Sequence, residues 1–252
     1  GKPNFRERML GTRASDNVAI VVHNNLVGGQ DELVFDGNSM VLDEKGHLIA
    51  RGKQFEEDLI VADLDVEAVF RTRLHDPRWR KETLLEEQRW HTAKVAVSEM
   101  PSTAPKPPLP QRQLQVRDLP GEVYDALVLG TRDYILKNGF QKVLIGLSGG
   151  IDSTIVAAIA VDALGPSNVV GVAMPSRYSS PGSISDAELL ARKLDIKLIT
   201  IPIEKVFQSY LEMLAEPFKG TEPNVTEENI QARIRGNILM ALSNKFDWLV
   251  LT

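Results

Sequence analysis

The apolar run Val143-Leu144-Ile145-Gly146-Leu147 leads directly into Ser148-Gly149-Gly150-Ile151-Asp152-Ser153, and a second apolar run, Thr154–Ala160, follows without interruption. A short β-branched run, a glycine turn and a longer apolar segment, in that order, read as a buried strand, a tight turn and the start of a helix. The first N–H groups of a helix have no partner inside it, and the helix dipole favours an anion there. A glycine turn opening a helix is therefore suited to phosphate, and the chain reads as a nucleotide-using enzyme or a piece of one.

The turn differs from the Walker A loop, which needs a lysine before its Ser or Thr; none is present between Ser148 and Ser153. Asp152 stands there instead. A carboxylate beside a polyphosphate is repulsive unless a cation lies between them, which makes Asp152 a candidate Mg²⁺ ligand. Ser148 and Ser153 can donate hydroxyls to phosphate oxygens, and Gly149 and Gly150 let the backbone approach closely. The competing reading is an ordinary strand-to-helix turn in which Asp152 merely complements the helix dipole; the flanking pattern favours the phosphate reading.

Composition narrows the partners. A net charge of −5 over 252 residues argues against a general nucleic-acid binder. Hydrophobic content of 43% and charged content of 25% are those of a soluble globular protein. No apolar stretch reaches membrane-spanning length, about 18 residues, and no signal peptide is visible, so a cytoplasmic protein without a membrane partner is expected. The sequence contains no cysteine, so no disulfide, thiolate metal site or cysteine nucleophile is available within it. The chain opens without Met and stops in what reads as a strand, Asp247–Thr252, so a fragment is expected.

Along the chain, residues 3–16 read as a helix, 18–22 as a strand, 28–31 as a turn, 39–50 as a hairpin around Asp43–Gly46, and 59–64 as a further strand. Six prolines between Pro101 and Pro120 exclude a helix or central strand and read as an extended linker. Beyond it, helices at 121–138, 153–164, 184–194, 204–215 and 226–245 alternate with strands at 142–147, 168–173 and 197–201 and a final strand. That alternation predicts a doubly wound parallel sheet. The expected domains are 1–98, a linker at 99–119, and 120–252.

In the helix at 226–245, Thr226 reads as the N-cap. Ile230, Ile234, Ile238 and Leu242 form a core stripe, with Asn229, Arg233 and Asn237 on the neighbouring face. Met174, at the end of the second strand of the α/β part, is either a core methionine or a ligand contact. His23, His47, His75 and His91 lack metal-ligand spacing, and Trp79, Trp90 and Trp248 read as packing residues.

Ser-Gly-Gly-x-Asp-Ser after an apolar strand resembles the pyrophosphate loop of the N-type ATP pyrophosphatases, which split ATP into AMP and pyrophosphate. That group includes NAD, GMP, asparagine and argininosuccinate synthetases and some tRNA-modifying enzymes. Three stretches resemble glutamine-dependent NAD synthetases in particular: Gly171–Ser180, Thr226–Asn237 with its Glu-Asn-x-Gln-Ala-Arg run, and Arg8–Asp31 with Gln54–Asp58. The last is similar to the C-terminal half of a nitrilase-like glutaminase domain. The resemblance implies a nitrilase-like α/β sandwich portion followed by a doubly wound ATP pyrophosphatase domain of the adenine nucleotide alpha hydrolase type. It implies ATP and pyrophosphate contacts from Gly146, Leu147, Ser148, Gly149, Gly150, Ile151, Asp152 and Ser153, an adenine contact from Met174, and Mg²⁺ at Asp152. It further implies deamido-NAD contacts from Asn229 and Arg233, a glutamine contact from Lys2, and a homo-oligomer. The expected reaction amidates deamido-NAD with ammonia from glutamine. The family's glutaminase nucleophile is a cysteine placed shortly before the position matching Gly1, and its further ATP and Mg²⁺ contacts lie past Thr252, so the fragment is expected to be catalytically incomplete. The alternatives are another AMP-forming enzyme, such as GMP synthetase or a tRNA-thiolating enzyme, or a non-catalytic assembly module.

Overall fold

A computed structural model describes residues 2–77, 95–96, 107–109, 117–177 and 181–252, with the side chains of Lys2, Pro3 and Pro181 left out. Most of the proline-rich linker, together with Trp79, Trp90 and His91, lies outside the described residues. The chain divides into two compact units, Gly1–Val27 with Phe35–Gly121, and Gly28–Val34 with Glu122–Thr252.

The first unit holds helix α1 (Lys2–Asn17), strands β1 (Val21–His23), β4 (Met40–Leu42) and β5 (Leu48–Arg51) and helix α2 (Val66–His75), while most of strands β2 (Val27–Gln30) and β3 (Leu33–Asp36) falls in the second. β1, β4 and β5 form an antiparallel sheet in the order β1-β4-β5. Ala14 of α1 packs with Met40 and Leu42, and all three are fully buried. The expected hairpin is present: Asp43 closes its turn by accepting the Lys45 and His47 N–H groups at 2.9 and 2.8 Å.

Three expectations for residues 1–77 need correction. Val18 is not in a strand; it ends α1 with φ of 43° and is buried beneath it, so the strand begins at Val21. Residues 59–64 form no strand, and Leu59 and Val61 are 82% and 59% exposed. β-branched composition supplies propensity, and a strand still needs a partner edge. The turn at 28–31 is part of a hairpin, β2–β3. Sequence reasoning also missed α2, although Asp65 caps it by accepting the Ala68 N–H at 3.1 Å.

The second unit is built on strands β6 (Val143–Gly146), β7 (Val169–Ala173), β8 (Lys197–Thr200) and β9 (Leu249–Leu251). All three pairings are parallel, in the order β8-β7-β6-β9. Helices α3 (Leu119–Lys137), α4 (Ile151–Leu164), α5 (Pro181–Lys193), α6 (Glu204–Met213) and α7 (Val225–Phe246) connect and cover them. Strand alternation divides the core. Val143 and Ile145 pack with Ile135, Ala157, Ala160 and Ala187 from α3, α4 and α5. Leu144, Val170 and Val172 pack on the other face with Phe207, Ile234 and Leu239 from α6 and α7. This is the doubly wound arrangement expected from the alternation, and the α7 stripe Ile230, Ile234, Ile238 and Leu242 faces that second core. Its N-cap is Asn224, not Thr226. Asn224 Oδ1 accepts the Thr226 N–H at 2.8 Å while Glu227 Oε2 accepts the Asn224 N–H at 2.7 Å, a reciprocal capping box for which Thr226 lacks the partner, since Asn229 rather than Glu or Gln stands three residues on. Trp248 stacks on Phe246, centroids 4.7 Å apart, and packs against the second core.

Candidate functional site: a glycine turn and the cavity it opens

In a doubly wound sheet ligands bind beyond the carboxyl ends of the strands. Here β6 runs into the turn Ser148–Gly150, and α4 starts at Ile151 with Gly150 as its N-cap. Gly150 supplies no side-chain cap, so the first N–H groups of α4 are not used by a capping side chain. Asp152 and Ser153 sit in that first turn. The two hydroxyls shape the turn: Ser153 Oγ donates to Gly150 O at 3.0 Å, and Ser148 Oγ accepts the Gly150 N–H at 3.2 Å. The hydroxyls themselves are 3.2 Å apart. Ser148 remains exposed, as do Ile151 and Asp152, and Ser153 is half-buried.

Gly149 has φ of +78°, and a Cβ there would stand 2.6 Å from the Ser183 carbonyl oxygen in the first turn of α5. The glycine is thus required by close packing of the turn on α5 as well as by its left-handed backbone.

Beside the turn lies a cavity of about 400 Å³, lined by Gly146, Leu147 and Ser148, by Met174 and Pro175 after β7, and by α5 and α7. Met174 is 8% exposed and belongs to the second core, and it also forms part of the cavity wall. The segment after β7 is fastened from two sides. Arg177 Nε donates to Glu204 Oε1 at 2.6 Å and Arg177 N to Glu204 Oε2 at 3.0 Å, and these bonds hold the Glu204 carboxyl below its usual range. On the α7 side, Arg235 Nε donates to Met174 O at 3.2 Å and Ser176 Oγ donates to Gln231 Oε1 at 2.8 Å. Arg235 is half-buried, and that desolvation lowers its guanidinium pKa. It also forms part of a second cavity, about 440 Å³, with Asn224, Glu227, Glu228 and Gln231.

The structure therefore brings Gly146, Leu147, Ser148 and Met174 into one cavity, with Gly149–Ser153 continuing along its turn. Asn229 and Arg233 line neither cavity. They are exposed on α7, where Arg233 Nη1 donates to Asn229 O at 3.3 Å. At 100° per residue they lie across the helix from Gln231 and Arg235. Lys2 begins α1, and its side chain is outside the described residues. Gln231 and Arg235 were not singled out from sequence, although they flank Arg233 in the same run. Among the described residues no three His, Asp or Glu side chains cluster as a metal centre. Asp152 makes no hydrogen bond or ion pair among them, so its carboxylate is available to a cation shared with phosphate oxygens, as Mg²⁺ requires.

A glycine turn and helix start at the carboxyl end of a parallel strand, beside a mainly apolar cavity, form an α/β unit of a kind suited to a phosphate-bearing ligand. The NAD synthase family model matches residues 123–252 and the carbon-nitrogen hydrolase model matches residues 4–74. This chain belongs to the NAD synthase family. It is 51% identical over all 252 of its residues to the glutamine-dependent NAD(+) synthetase of Thermotoga maritima and 47% identical over 251 residues to that of Aquifex aeolicus. It spans 43% of the length of each of these relatives. The solved structure of glutamine-dependent NAD+ synthetase from Acinetobacter baumannii in complex with adenosine diphosphate matches 99% of the chain and 40% of its own, with a TM-score of 0.78 at 35% identity. These matches do not favour GMP synthetase or a tRNA-thiolating enzyme. No helix among the described residues is long and apolar enough to cross a membrane.

Proposed function

We propose that the protein containing this chain amidates deamido-NAD to NAD, using ATP and ammonia released from glutamine. The observation that carries the proposal is the turn Ser148–Ser153 opening at the end of β6 beside the cavity walled by Met174. In this reading residues 120–252 belong to the ATP-using portion, residues 1–98 to the glutamine-hydrolysing portion, and 99–119 to a linker. Lys2 contacts glutamine. The protein acts in the cytoplasm as a homo-oligomer, with small molecules rather than nucleic acid or membrane as its substrates.

The nicotinate carboxylate oxygen attacks the α-phosphorus of ATP, and the bond from that phosphorus to the bridging oxygen breaks. Pyrophosphate leaves with the electron pair. Ammonia then adds to the adenylated carbonyl, AMP departs with its oxygen, and a proton is released from nitrogen. The first step joins two anions and builds charge on the leaving group, so fixed donors at that group lower the barrier. The N–H groups at the start of α4 and the hydroxyls of Ser148 and Ser153 are suited to hold it, with Gly146, Leu147, Gly149, Gly150 and Ile151 forming the backbone cradle. Met174 packs against the base. Asp152 is the proposed Mg²⁺ ligand; when bound, the ion supplies positive charge against the polyphosphate. Asn229 and Arg233 are proposed to contact deamido-NAD from the exposed face of α7, as a guanidinium suits phosphate recognition.

The test uses the full-length protein. Asp152→Ala is expected to abolish AMP formation that depends on deamido-NAD while leaving the fold intact by circular dichroism. AMP formation near the wild-type level in that variant would overturn the assignment.

A further inference from the structure

Gln231 is the one buried polar side chain among the described residues of the second unit, 6% exposed on a helix whose other buried positions include Ile234 and Leu239. A buried amide is costly unless hydrogen-bonded. Its Oε1 accepts from Ser176 Oγ at 2.8 Å and lies 3.5 Å from Arg235 Nη2, while Arg235 Nε donates to Met174 O at 3.2 Å. Two residues one helical turn apart thus hold alternate positions, 174 and 176, of the segment that leaves β7. The neighbouring carbonyls of Ala173 and Pro175 accept the Ile201 and Ile203 N–H groups at 2.9 and 3.0 Å, and the Met174 carbonyl between them is the one Arg235 takes. Leucine at 231 would fill the space and leave Ser176 without this acceptor.

We propose that Gln231 and Arg235 are positioning residues for nucleotide specificity: they clamp the Met174–Ser176 segment so that it presents a fixed wall to the base of ATP. The inference rests on the reading of the Met174 cavity as the ATP site. A clamp of this kind acts on the affinity for ATP and leaves the chemical step and the other substrate alone. It also needs only an acceptor at position 231, so glutamate serves where leucine does not.

The experiment measures steady-state kinetics and calorimetric ATP binding in the full-length protein. Gln231→Leu is expected to raise the KM and Kd for ATP about five- to tenfold, the scale of one lost buried hydrogen bond, with kcat and the KM for deamido-NAD changed less than about twofold. Gln231→Glu is expected to stay near wild type. Where Gln231→Leu does not fold, Ser176→Ala removes the other end of the bond and carries the same expectation. An unchanged KM for ATP, equal damage from Gln231→Glu, or a parallel shift of both KM values and kcat would each overturn the clamp. Wild-type protein that binds no ATP overturns the underlying site reading, and the clamp with it, and is distinguished by the missing calorimetric signal before any variant is compared.

Discussion

The backbone at Gly149 passes so close to Ser183 that an added Cβ would lie 2.6 Å from the Ser183 carbonyl oxygen and 2.9 Å from its Cα. Both obstacles are backbone atoms, so neither can rotate away. Gly149→Ala therefore combines a close contact with a positive φ. It is expected to destabilise the protein by about 1–3 kcal/mol, read as a lower urea midpoint, and to weaken ATP binding because the turn must shift off α5.

At the start of α7, Asn224 supplies half of a capping box and Glu227 the other half. Asn224→Ala leaves the Thr226 N–H without its side-chain acceptor and is expected to cost about 1 kcal/mol. Asn224→Asp keeps the acceptor and should stay within a few tenths of wild type. Chemical denaturation of the two variants side by side checks the pair.

Asp133 of α3 accepts the Gly29 N–H at 2.8 Å, within the second unit. Burial pushes its carboxyl up, but the Gly29 N–H, Lys137 and Arg132 outweigh that effect and hold its pKa below the usual value. A depressed folded pKa gives stability that is present above the unfolded value, about 3.9, and is lost as pH falls through the folded one. Asp133→Asn should therefore reduce the steepness of acid destabilisation below about pH 4, measured as melting temperature against pH.

Tyr124 donates its hydroxyl to Asp162 Oδ2 at 2.6 Å, and that bond, with burial and the Asp162 charge, raises its pKa to about 12. A raised folded pKa gives stability that is complete below the unfolded value, about 10, and is lost as pH rises through the folded one. The ultraviolet phenolate titration assigned to Tyr124, by difference from Tyr124→Phe, should fall near pH 12 and move toward 10 in Asp162→Asn.

Much of the second unit was legible because its signals are local. Apolar strand runs such as Val143–Leu147 and Val169–Ala173, glycine at the turn, and the four-residue spacing of Ile230 to Leu242 each encode burial within a few residues of chain. The strand expected at 59–64 failed because pairing depends on a partner elsewhere, and no window of sequence records that. The cap at Asn224 was missed in favour of Thr226, although Glu227 three residues on carries the signal for it.

What the sequence determined by itself was the strand-turn-helix at 143–164, the parallel α/β character of the second unit, and the residue types at Ser148–Ser153 that suit phosphate and a cation. Hydrophobic periodicity and the conformational freedom of glycine are properties of neighbouring residues, so they survive without a fold. The tertiary structure alone decided why Gly149 must be glycine, since Ser183 is 34 positions away in the sequence. It alone decided that Gln231 and Arg235, rather than Asn229 and Arg233, meet the Met174 segment. Those choices depend on how helices dock over the sheet, and docking is set by contacts between residues far apart in the chain.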